Sequence, residues 1–148
     1  MAPGNAAQTY ARVGLETGVV AANPHRLVLM LFDGALGAVA DADIHMAQGR
    51  IAAKGEALSR AISIINDGLR ASLDPSQGGK IAGYLLELYD YMCRRLLVAS
   101  LTNDRGALSE VTQLLSELRA SWAAIGATGA ANVAAAAVVP GGARRAAA

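Results

Sequence analysis

Apolar positions recur at helical spacing over four segments of this chain, and turn-forming residues separate them. At about 3.6 residues per turn, a first helix is expected from Pro24 to about Gln48. Asn23 is a favoured N-cap, proline is tolerated at the first helical position, and Gly49 supplies the stop. Val28, Phe32, Ala35 and Val39 form one apolar stripe, and Leu27, Leu31, Gly34 and Ala38 form another. A second helix is expected from about Ile51 to Leu73, with Ile51, Leu58, Ile62, Ile65, Leu69 and Leu73 as its core stripe. Ile64 falls off that stripe, among Ala57, Gly68 and Ala71, which gives a shallow apolar strip on the expected outer side. Asp74-Pro75 and Gly78-Gly79 end the segment.

The third segment, Lys80 to Val98, is the most apolar. Ile81, Leu85, Leu88, Met92 and Leu96 share one face, Ala82, Leu86, Cys93 and Leu97 the next, with Tyr89 between them. Tyr84, Tyr91 and Val98 extend the apolar surface, leaving only Glu87, Asp90 and Arg94 as a polar strip. A helix that is apolar nearly all round is normally buried, so this one is expected at the centre. Asp104 can cap a fourth, amphipathic helix to about Ile125, with Leu108, Val111, Leu115, Leu118 and Trp122 on one side.

Four such segments joined by short turns imply an all-α fold, an antiparallel up-and-down four-helix bundle. Residues 1–22 read as an N-terminal arm, 23–125 as the bundle and 126–148 as an Ala/Gly-rich tail expected to be mobile. A short fifth helix before Pro140 stays open. Such a bundle needs one inward stripe per helix, and the first and third helices carry more. The surplus calls for cover from the arm, the tail, a second copy or a partner chain.

Composition narrows the function. The chain has 148 residues, enough for one domain with a real core. A net charge of +1 with no basic stripe argues against nucleic acid as partner. The apolar run Leu27 to Phe32 is far shorter than the roughly 20 residues a membrane span needs. Met1 to Leu15 lacks the apolar core of a signal peptide, so a cytoplasmic protein is expected. The single Cys93 cannot form an internal disulfide and reads as a small buried hydrophobe.

Catalytic signatures are missing. No glycine-rich phosphate cradle follows a strand, and His25 and His45 lack neighbours at metal-ligand spacing, so no cofactor or metal is expected. Asp41 and Asp43 read as a solvated face. His45, followed by Gln48 and Gly49, is a faint likeness of a histidine phosphotransfer domain without its lysine. The chain is therefore read as a non-enzyme, with a structural homodimer as the other alternative.

Three stretches in order carry a resemblance. They are Asn23-Pro24-His25-Arg26-Leu27 running into Leu29-Met30-Leu31-Phe32-Asp33-Gly34-Ala35; Ser72-Leu73-Asp74, Gly78-Gly79 and Leu88-Tyr89-Asp90-Tyr91-Met92 with Arg95-Leu96; and Asn103-Asp104 with Trp122. Together they resemble the FliS family of flagellar secretion chaperones over roughly residues 10 to 125. The resemblance implies a helical bundle that holds the disordered C-terminal segment of flagellin, prevents premature polymerisation and delivers it to the type III export gate. It also implies that Tyr10, the only tyrosine before the first helix, docks on the gate protein FlhA. Flagellin-facing residues do not follow from the motifs. Surface reasoning nominates Ile64, Ala57, Gly68 and Ala71 on the second helix, and Leu27, Met30 and Leu31 on the first. Asp33, Gly34, Tyr89 and Tyr91 are expected to pack or to bond between helices.

Overall fold

A computed structural model describes residues 23–73 and 75–136, with side chains described for 23–73 and 79–126. All regular structure among them is helical. The helices are α1, Pro24–Ala47; α2, Ile51–Ser63; α3, Pro75–Thr102; and α4, Arg105–Ala136. Beyond α2 the rod continues as a π-helical stretch, Ile64–Leu69, and a 3-10 turn, Arg70–Ser72. The arm, with Tyr10, and residues 137–148 lie outside the described residues.

Local chemistry explains the boundaries. The Asn23 side chain accepts from the backbone N–H groups of His25 at 3.1 Å and Arg26 at 3.3 Å, satisfying two donors that α1 would otherwise leave bare. Gly49, at φ +71°, takes the left-handed turn between α1 and α2. Asp104 Oδ1 accepts from Ala107 N at 3.1 Å and caps α4. Gly79 interrupts α3 with φ +58°, so its regular part begins at Lys80. Gly126 interrupts α4 in the same way, after which helical backbone resumes to Ala136.

Each helix packs along its sequence neighbours, and α4 closes the square against α1. The cross-links run antiparallel throughout. Asp43, late in α1, pairs with Arg105 at the start of α4, while the earlier Asp33 pairs with the later Arg119. Asp41 bonds Arg60 of α2, and Asp90 of α3 bonds Arg70. Asp41 is thus exposed and Asp43 half-buried, and both are paired where the sequence suggested simple solvation. Surface pairs of this kind contribute little stability, yet each joins neighbouring helices at one register.

The densest packing is along α1, not α3. Leu31, Phe32, Ala35, Ala38, Val39 and Ala42 are all buried there. The two stripes of α1 are used up by two neighbours: Leu31 and Gly34 meet the π-helical continuation of α2, and Asp33 and Asp43 mark the flank facing α4. Most of the surplus expected on the first helix is therefore covered. The expectation of a central third helix is corrected. Ala82, Tyr89, Met92, Leu96 and Ala99 of α3 are buried, but Tyr84, Leu97, Val98 and Leu101 are exposed. Apolar composition cannot separate a face that is buried from one that awaits cover.

At the other end, α1 and α4 are clasped. His25 Nε2 lies 2.9 Å from the carbonyl oxygen of Trp122, and the Trp122 indole N–H donates to the carbonyl of His25 at 3.0 Å. A carbonyl only accepts, so Nε2 carries the proton here. The rings stack, with centroids 5.8 Å apart.

Candidate functional site

The strip nominated on the second helix is not a surface. Ile64 retains 5% exposure, and Ala57, Gly68 and Leu31 are likewise buried. A Cβ placed on Gly34 would lie 3.4 Å from Ile64 Cδ1, and one on Gly68 would lie 2.9 Å from Leu31 Cδ2. Ile64 and Gly68 therefore face α1 at close range, with small residues letting the two rods approach. The outward placement of Ile64 assumed one inward stripe on an ideal helix. In fact this rod lies between α1 and α3, and the π-helical stretch begins at Ile64 itself, so Ile64 and Ile65 are both enclosed. Leu27, Met30 and Ala71 are half-buried.

The exposed apolar surface is elsewhere. Ile44, Ile51, Leu97, Val98 and Leu101 all belong to the end of the bundle where α1 passes to α2 and α3 to α4. Ile51, assigned to the core stripe from periodicity, is 75% exposed because it occupies the first turn of α2. Leu97 is 56% and Leu101 80% exposed, one turn apart on α3.

Of these, Ile51 of α2 and Leu97 and Leu101 of α3 flank a slot along the seam between the two helices. Cys93 Sγ lies 4.0 Å from the Ile62 carbonyl oxygen, which joins the two helices at mid-length. Leu97 and Leu101 follow Cys93 by one and two turns. Gly55 precedes Ile62 by two turns and shares its flank, and a Cβ there would meet nothing within 4 Å. Lys54 crosses beneath. Its Nζ donates to the Ser100 carbonyl at 2.9 Å and to Asn103 Oδ1 at 2.8 Å, and the residue is only 6% exposed. A cation at the C-terminal end of α3 meets carbonyls that have no intrahelical partner, the favourable side of the helix dipole. The sequence gives no hint of Lys54, because one lysine in an amphipathic helix has no signature. The Leu97/Leu101 pair could have been found: it lies opposite the Met92/Leu96/Ala99 stripe.

On the other side of α3, Arg95 Nε donates to Glu110 at 2.7 Å and Tyr91 donates to the same carboxylate at 2.6 Å. The Tyr91 hydroxyl, then the Arg95 guanidinium, hold the Glu110 carboxyl below its ordinary range, and that carboxylate raises Tyr91. This is interhelical bonding, the role expected for Tyr91. Asp33, bonded to Arg119 at 2.5 Å, has it too.

Little here can do covalent chemistry. Burial, helped by the nearby Asp90, pushes the Cys93 thiol up to about 11. Since the thiolate is the nucleophile, Cys93 in the native protein should react with a disulfide reagent at pH 8 on the order of a hundredfold slower than a free cysteine. Equal rates before and after denaturation would contradict its enclosure. His45 is half-buried rather than displayed, with Nδ1 enclosed and without a partner among the described residues. No group of His, Cys, Asp and Glu among the described residues could hold a metal ion, and no helix there is long and apolar enough to cross a membrane.

A four-helix bundle whose exposed large apolar residues, Tyr84 apart, gather at one end defines a helical protein with a surface suited to another chain. Residues 6–129 match the family model of flagellar protein FliS. The flagellar secretion chaperone FliS of Salmonella typhimurium is 53% identical over 115 residues, covering 78% of this chain and 85% of that protein. Its counterpart in Escherichia coli K12 is 44% identical over the same shares. The chaperone FliSB of Pseudomonas aeruginosa is 43% identical over 117 residues, 79% of this chain and 92% of that one. The chain belongs to the FliS family of flagellar secretion chaperones.

Proposed function

We propose that this protein is a cytoplasmic, non-enzymatic chaperone of flagellin. It binds the disordered C-terminal segment, keeps it from polymerising and delivers it to the export gate. The observation that carries this reading is the row of exposed apolar side chains, Ile51, Leu97, Val98 and Leu101, on a bundle otherwise closed over its core. A segment that orders as it binds must bury enough apolar area to outweigh the entropy of ordering, and such a row supplies it. Leu27, Met30 and Ala71, half-buried toward the other end, are candidates for contact with a client that wraps along the bundle. Ile64, Ala57, Gly68 and Leu31 would act only through the core they build. Tyr10 in the arm is the proposed contact with FlhA.

Titrating the protein with a synthetic flagellin C-terminal segment in a calorimeter tests the reading. A one-to-one complex is expected, and absence of heat at micromolar concentrations would count against it. Self-association is the competing occupant of the same surface. Light scattering that reports a dimer unaffected by the segment would favour that occupant.

A further inference from the structure

We propose that Lys54 is a latch: its amine holds α2 and α3 together at the slot, and its release lets an apolar client segment enter between them. The inference rests on the client-binding reading above and concerns how that site opens. Lys54 is the one buried charged residue among those described, and it spans the seam to acceptors at the very end of α3. Around it the seam is otherwise closed by apolar packing, with Leu58 and Ala61 of α2 and Leu96 and Ala99 of α3 buried in one core, so Lys54 is its polar fastening on this side of Cys93 and Ile62. Gly55 faces open space, and Ile51, Leu97 and Leu101 stand exposed at the margin. The start of α2 also lacks a side-chain cap, because Arg50 occupies that position without bonding it.

The chemistry of the acceptors suits release. Both are neutral, a backbone carbonyl and an amide oxygen, so parting from Lys54 strands no charge in the interior. The lysine stem is long and flexible enough to carry the ammonium out to water. A carboxylate partner in the same place would have made separation much harder. The bond is strong enough to keep the slot shut in the free protein and leaves nothing buried when it opens.

Three substitutions in the full-length chain test this with two readouts. The first is amide hydrogen exchange of residues 97–102 without client; the second is the association rate of a synthetic flagellin C-terminal segment. Lys54→Met removes both charge-assisted bonds and should raise both readouts by about tenfold or more. Asn103→Asp, tolerated at φ +55°, turns the latch into an ion pair and should lower both several-fold. Lys54→Arg keeps the donors and should stay close to the parent. Exchange that is unaltered, or that moves the same way in the Met and Asp variants, overturns the latch. So does an association rate that ignores all three. Exchange that shifts as described, with no segment binding to any protein, would support the latch and overturn the flagellin reading instead. Should Lys54→Met fail to fold, Asn103→Asp decides alone: slower exchange supports the latch, and unaltered or faster exchange overturns it.

Discussion

Ile64→Asp should abolish the cooperative thermal unfolding transition followed by circular dichroism. The side chain is enclosed against Gly34 and Leu31 of α1. A carboxylate there has no partner, and burying it unpaired costs several kcal/mol on top of the lost methyl contacts. A domain of this size has about 5–15 kcal/mol in total. Ile64→Val keeps the shape and should cost only about 1 kcal/mol. An aspartate variant that melts like the parent would return Ile64 to the surface and undo the packing described for α1 and α2.

The opposite profile is expected for Leu97→Asp combined with Leu101→Asp. Both residues project into solvent, so the melting temperature should barely move. Affinity for the flagellin segment should fall by a hundredfold or more. Covering one leucine contributes about 1.5–3 kcal/mol, which is roughly a tenfold effect or larger for each site. Calorimetry of the double variant against the parent gives the answer. Unchanged affinity would move the client to another face of the bundle.

These two variants also show what could be read in advance. Caps are local chemistry, so Asn23, Gly49 and Asp104 declared the ends of helices correctly. Antiparallel topology followed from helix number and short turns. Ile64 was misplaced because its environment is set by which helices flank it and by a π-helical stretch that an ideal period cannot anticipate. The exposed face of α3 was misjudged for a related reason: leucines that wait for a partner look the same in a sequence as leucines in a core. Lys54 was missed because its acceptors, Ser100 and Asn103, lie far along the chain and one of them is backbone. The family motifs, in contrast, fall on structural devices. Asn23 and His25 cap and clasp α1, and Asp33 joins it to α4, while Trp122 completes the clasp.

The clasp gives the molecule a built-in lamp. Trp122 is its sole indole fluorophore, and it is seated against the imidazole at the root of the arm. The slot flanked by Leu97 and Leu101 opens at the far end of the rods. Emission colour therefore registers events at the arm's root directly and events in the slot only by relay. Without any dye, a shift on adding the flagellin segment would show the client reaching the Leu27 end as well, and a steady signal would confine it to the slot.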